Sequence, residues 1–172
     1  MEKTIQVINQ MKSEGLFSSY AIGGGIAALF YIEPLITFDL DIFIILPESL
    51  SSLTPLSDIY QWLEKRGYKP EKEQIIIEGI PVQFIPAYND LVKDGLLNGI
   101  DKNYGQVVTY VLRPEYLVAI MLQAFRPKDK DRIVKFLEQA DLSLELLESI
   151  LVKHDLKKSF EDFKRQYYGK SS

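Results

Sequence analysis

The apolar positions of the chain change their period as it proceeds. Residues 2–15 carry Ile5, Ile8 and Met11 at near-helical spacing, with Val7 widening the apolar face and Gly15 ending the run. That pattern predicts an amphipathic helix. Ser18 to Ile22 reads as a short strand running into Gly23-Gly24-Gly25, and Ile26 to Tyr31 as a short apolar helix that Pro34 cannot continue. Asp39 to Leu46 is the strongest strand signal, a β-branched and aromatic run closed by Pro47. A helix is expected over 56–66, ending at Gly67. Gln74 to Glu78 and Pro81 to Ile85 flank Gly79-Ile80 as the two arms of a hairpin. A helix over 87–97 and a strand over 106–112 complete this half.

Beyond Pro114 no strand period remains. Residues 115–124, 128–139, 144–152 and 159–168 read as four helices. Strands concentrated first and helices last predict an α+β fold, a mixed β-sheet with flanking helices and a C-terminal helical lobe. The expected division is a core over 1–112 and a lobe over 113–172. Pro-bounded loops without a low-complexity linker join them, so one compact unit is expected. The length of 172 residues fits about one domain.

Composition narrows the chemistry more than the fold. There is no cysteine, which excludes disulfide scaffolds, thiolate zinc sites and cysteine nucleophiles together. With one histidine, a Ser-His triad or a His-rich metal site would rest wholly on His154. Carboxylates, hydroxyls, lysines, arginines and the backbone are what remain. The formal net charge of -4 argues against sequence-independent wrapping of DNA, which a basic surface favours. The first fourteen residues lack an apolar signal core, and the longest uncharged stretch, Leu16 to Ile32, falls short of the roughly 20 apolar residues a spanning helix needs. A soluble, cytoplasmic protein with no membrane partner is the expectation.

Two features carry chemistry: the glycine turn and the Asp39-Leu40-Asp41 pair. Gly23-x-Gly25-x-x-Ala28 formally matches the dinucleotide fingerprint, since it follows a strand and opens a helix. In that fold, however, the ribose-binding acid lies at the carboxyl end of the second strand. Here both aspartates precede the apolar run Ile42 to Leu46. Side chains alternate along a strand, so Asp39 and Asp41 project to one face with Cα atoms about 6.5 Å apart. Carboxylates that close repel unless a cation stands between them or one is protonated. Hard oxygen donors suit Mg²⁺ held together with substrate phosphates, and a glycine turn into a helix offers N–H groups to phosphate. Read together, the two features outline a nucleoside triphosphate and metal site. Taken singly, they read as a packing turn and surface ions.

This arrangement resembles the small prokaryotic nucleotidyltransferases of the DNA polymerase β superfamily. The resemblance rests on Ala21-Ile22-Gly23-Gly24 followed by Thr37-Phe38-Asp39-Leu40-Asp41-Ile42. It extends to an uncharacterised bacterial branch through Phe30-Tyr31-x-Glu33-Pro34, Pro81 to Tyr88, and Arg126-x-Lys128-Asp129-x-x-Arg132. It implies transfer of a nucleoside monophosphate from a triphosphate to an acceptor hydroxyl of unknown kind (RNA, protein or small molecule), with release of pyrophosphate. It further implies that Gly23 and Gly24 hold the triphosphate and that Asp39 and Asp41 are both catalytic and metal ligands for two Mg²⁺ ions. Arg126, Lys128 and Arg132, if they fall near the glycine turn, would contact the triphosphate or an anionic acceptor. The superfamily's third carboxylate corresponds to Gln83, which offers a neutral oxygen and no base. Glu78, on the other hairpin arm, is the candidate substitute. A lysine of related toxin-type transferases corresponds to Met121. Loss of the third acid leaves open a catalytically degenerate nucleotide-binding or regulatory module, in a toxin–antitoxin or defence setting.

Overall fold

The computed structural model describes residues 1–33, 36–48, 54 and 56–169, so the expected helix stop at Pro34 lies outside the described residues. In chain order the elements are α1 (Glu2–Ser13), β1 (Ser19–Ile22), α2 (Gly24–Ala28), β2 (Leu40–Ile45), α3 (Ser57–Glu64), β3 (Pro70–Glu71), β4 (Gln74–Ile77) and β5 (Ile80–Pro86). They continue with α4 (Asp90–Leu97), β6 (Ile100–Tyr104), β7 (Val107–Val111), α5 (Pro114–Ala124), α6 (Pro127–Gln139), α7 (Leu144–Lys153) and α8 (Lys157–Tyr168). The seven strands form one mixed sheet in the order β3-β4-β5-β2-β1-β7-β6. The α+β reading is therefore correct.

Strand direction excludes the dinucleotide fold. β1 and β2 pair antiparallel, Ser19 opposite Ile45 through Ile22 opposite Ile42. A βαβ unit requires those two strands to run parallel. β2 instead pairs parallel with β5, Leu40 opposite Val82 through Ile44 opposite Pro86.

Several expected boundaries are corrected. The hairpin turn is Glu78-Gly79, one residue earlier than Gly79-Ile80, because Ile77 pairs with Ile80. Both turn residues have positive φ, 51° and 80°, as a two-residue turn matching the sheet twist requires. α2 begins on the glycines and ends at Ala28. The chain then winds on through the short-range bonds Leu29 to Ile26, Phe30 to Ala27 and Tyr31 to Ala28. The edge strand β6 and the two-residue β3 were not expected. β6, Ile-Asp-Lys-Asn-Tyr, is polar because it closes the sheet against water.

α1 covers one face of the sheet: Thr4 donates to the Ile77 carbonyl and Asn9 to that of Val108. Tyr20 points to this face, its hydroxyl donating to Asn9 at 2.6 Å. α3 joins α1 there, Trp62 Nε1 donating to Glu14. Ala21, its alternate neighbour on β1, meets Gly99 at the end of α4 on the opposite face. On that side α5 packs on α2 and α4 and carries α6 and α7. α5 is buried from Pro114 to Leu122 because it is covered both by the sheet-side elements and by the later helices. Its apolar side chains and those of the central strands belong to one hydrophobic cluster. Among the described residues no helix is long and apolar enough to cross a membrane.

Candidate functional site

The site begins at the centre of the sheet. Leu40, Ile42 and Ile44 turn one way and are fully buried. Asp41 and Phe43 turn the other way, with Asp41 half-buried. The Gly23 N–H donates to the Asp41 carbonyl at 2.9 Å, fastening the glycine turn to the aspartate strand. Gln83 on β5 is the in-register partner of Asp41, so in this parallel pair both side chains leave the sheet on the same side. Asp39 lies immediately before β2 and is exposed.

The glycines make room for these groups. Gly24 has φ +57°, a conformation that costs other residues about 1–2 kcal/mol. A Cβ on Gly24 would fall 2.0 Å from Asp41 Oδ2, so only glycine leaves that oxygen its place. Gly25 stands close to Thr37, where a Cβ would meet Oγ1 at 2.6 Å. Gly23 serves packing: a Cβ there would enter the Phe43 ring at 2.2 Å.

Above these residues opens a cleft of about 460 Å³. Its floor holds Gly24, Asp39, Asp41 and Gln83; one wall is apolar, including Ile120 and Met121 of α5; the rim carries Arg126, Lys128 and Arg132. The Asp41 carboxylate makes no hydrogen bond or ion pair with any described residue. Burial raises its pKa above the usual carboxylate value, and the Asp39 charge adds to this. Lys128, Arg126 and Arg132 pull the other way from a distance, Lys128 most strongly. The cleft thus holds a desolvated acid surrounded by cations that do not touch it.

Six residues singled out in the sequence meet here: Gly24, Asp39, Asp41, Gln83, Arg126 and Lys128. Gly23 does not line the cleft, and its N–H is engaged in the sheet. Glu78 is no substitute acid. It sits in the hairpin turn, accepts from the Tyr68 hydroxyl at 2.7 Å, and borders a groove beside α1 on the far face. Met121 stands in the apolar wall. Arg132, the third cation of the Arg126-Lys128-Arg132 group, lines the cleft as well, and so do Thr37 and Tyr88, which were not assigned to it. Arg132 follows Lys128 by one helical turn and so shares its face. Thr37 and Tyr88 lie outside helix and strand, where no period marks a face. His154 lies elsewhere, its Nε2 2.8 Å from Asp94 Oδ2.

Asp39, Asp41 and the Gln83 carboxamide form a donor set of hard oxygens, which suits Mg²⁺. The space kept by Gly24 leaves Asp41 Oδ2 unobstructed. Among the described residues no group of three or more His, Cys, Asp or Glu gathers as for a metal ion, so the pair of carboxylates is supported by the amide alone.

A sheet with this order, a glycine turn hydrogen-bonded to an Asp-x-Asp strand, and a helical lobe over its open face define a nucleotidyltransferase-like fold. The chain is similar over 93% of its length, and 92% of the other chain, to the crystal structure of an antigenic nucleotidyltransferase-like protein from Paracoccidioides brasiliensis, with a TM-score of 0.54 and 15% identity. It also aligns with the solution structure of the antibiotic-resistance factor ANT(2'')-Ia, covering 96% of both chains at 14% identity and a TM-score of 0.49. No family model matches the chain, and no curated protein does.

Proposed function

We propose that the cleft binds a nucleoside triphosphate with Mg²⁺ and transfers the nucleoside monophosphate to an acceptor hydroxyl. The observation that carries this reading is the convergence of Asp39 and Asp41 with Arg126, Lys128 and Arg132 on one cleft, although the two groups lie far apart in the chain. Acids and bases that do not neutralise each other make a place for a ligand bearing both signs, which a metal–triphosphate complex does.

Asp39 and Asp41 hold Mg²⁺, with the Gln83 amide oxygen beside them. When bound, Mg²⁺ neutralises charge on the phosphates and favours ionisation of the acceptor. The two-ion arrangement implied by the resemblance calls for a further anionic donor, and at the position in register with Asp41 the chain has an amide. Lys128 and Arg132 make no ion pair with other described residues and are free to meet phosphate oxygens. The first N–H groups of α2, at Gly24 and Gly25, have no intrahelical partner, and both residues line the same cleft. In the transfer the acceptor oxygen bonds to the α-phosphorus, the bond to the bridging oxygen breaks, and pyrophosphate leaves. The acceptor proton goes to Asp39 or Asp41, since among the described residues no other acid lines the cleft and Gln83 takes no proton.

Gln83 favours a second reading: a module that binds the nucleotide and no longer transfers it. Thermal shift and calorimetry with each ribonucleoside triphosphate and Mg²⁺ test binding, which the paired substitution Asp39→Asn with Asp41→Asn weakens at least about tenfold. No binding by the wild type, or binding indifferent to both substitutions, overturns the proposal. Incubation with labelled triphosphates and acceptors such as tRNA separates the two readings: pyrophosphate release abolished by Asp41→Ala marks a transferase. Binding without release marks the module.

A further inference from the structure

The three cations on the rim are not held alike. Lys128 and Arg132 make no ion pair among the described residues, whereas Arg126 is clamped. Asp129, in the first turn of α6, is fully buried at 0% exposure. It accepts from the Arg126 backbone N–H at 3.1 Å, from Nε at 2.8 Å and from Nη2 at 3.2 Å. The last two bonds use both carboxylate oxygens, the fork geometry that fixes the plane of a guanidinium as well as its position. The backbone beneath is pinned too: Phe125 ends α5 in the left-handed region at φ 48°, and Pro127 opens α6. The guanidinium nevertheless remains half in solvent, lines the cleft and acts on Asp41 and Tyr88. Its Nη1 group and the second Nη2 hydrogen stay available as donors.

We infer that Asp129 is a positioning residue: by gripping one edge of the Arg126 guanidinium it aims the other at an anionic group bound in the cleft, a phosphate of the proposed nucleoside triphosphate. The inference rests on the nucleotide reading above. A buried acid beside an anion site otherwise opposes anion binding, because it lowers the positive potential there. The acid therefore helps the ligand only through the order it imposes on Arg126, a group that would otherwise lose side-chain entropy on binding.

That opposition of signs makes the test sharp. Asp129→Asn removes a negative charge but keeps an oxygen for the Arg126 N–H, so the helix start retains its cap. Calorimetry on the full chain with Mg²⁺ and the tightest-binding of ATP, GTP, CTP and UTP, at least 10 °C below each melting temperature, reads the outcome. Positioning predicts about tenfold weaker binding. It also predicts that Asp129→Asn adds nothing further in an Arg126→Gln background. In the arginine NMR spectrum, positioning predicts that the Arg126 Nε–H exchanges slowly in the wild type and fast in Asp129→Asn. Binding that is tighter, as charge removal alone would make it, or unchanged beside a lowered melting temperature, as a purely structural cap would leave it, overturns the inference while the nucleotide reading stands. Failure of the wild type to bind any triphosphate overturns both.

Discussion

Asp41 and Asp94 are both carboxylates set among cations, in different parts of the molecule, and they titrate in opposite directions. Asp94, on α4, touches its partners: Lys153 Nζ lies 2.6 Å and His154 Nε2 2.8 Å from the same oxygen. The hydrogen bond from Lys153, then that from His154, hold its carboxyl below the usual range. Asp41 has three cations nearby and touches none; burial dominates and pushes its carboxyl up. Asp94 ties α7 to α4 and is chemically complete. Asp41 is half-buried and its carboxylate unpaired, which is costly in the empty protein and useful once a cation arrives. The same residue types thus serve architecture where contacts close and a ligand where they stand off.

The strongest way to break this contrast is to deny Asp41 its place. Gly24→Ala puts a methyl where Oδ2 lies and imposes a positive φ on alanine. Displacing this charged ligand should weaken Mg²⁺-dependent triphosphate binding about 30- to 100-fold, the equivalent of one good charged contact. Gly79→Ala is the control: its φ is +80°, with nothing within 4 Å of the added methyl. It should lower the melting temperature and leave binding intact. Equal binding by Gly24→Ala and wild type would show that the glycine does not shape the site.

A smaller effect is expected from completing the cage. Gln83→Glu sets a second charge in register with Asp41, so Mn²⁺ measured by electron paramagnetic resonance should bind about tenfold tighter. Without metal, like-charge repulsion raises the Asp41 pKa further, and the affinity gain should fade as pH drops. Unchanged Mn²⁺ affinity would mean that residue 83 does not face the ion.

Stability offers the smallest effect and the clearest sign. A carboxyl lowered by its partners stabilises the fold above its ordinary value of 3.8 and loses that contribution as pH falls through the lower folded value. Asp94→Asn should therefore lower the melting temperature by about 2–4 °C at pH 7 and have no effect in strong acid. A carboxyl raised by burial does the reverse, because its cost appears as pH rises above 3.8 and is complete above the folded value. Asp41→Asn should raise the melting temperature by about 1–2 °C at pH 7 in the metal-free protein, and leave it unchanged below 3.8. Shifts of the same sign in scanning calorimetry would remove the distinction between the two acids.

The fold was legible where one face of an element is wet. α1 shows in the period of Ile5, Ile8 and Met11, and the β4–β5 hairpin in two β-branched apolar arms on either side of Gly79. β6 was not legible, because an edge strand facing water on most of its side chains lacks the alternation that marks a strand. At the site, the carboxylates and Gly24 stood out through spacing. Whether Arg126, Lys128 and Arg132 reach it was not legible, because charged residues at a helix start ordinarily mean only solvation. Asp129 was hidden for the opposite reason: a buried aspartate on a charged helix looks in sequence like any exposed one.

By itself the sequence settled what depends on neighbours in the chain. It excluded thiol chemistry, put two carboxylates two residues apart, and placed a glycine turn before them. Covalent geometry and the periods of helix and strand act over a few residues, so these features survive without knowledge of the fold. Only the tertiary structure decided that Gln83 stands beside Asp41, that Glu78 faces away, and that the start of α6 lies over both aspartates. Those placements depend on how β5 pairs with β2 and how α5 is buried from Pro114 to Leu122. Apolar burial drives both and favours contact without naming a partner, so residues far apart in the chain acquire their neighbours only when the whole core closes.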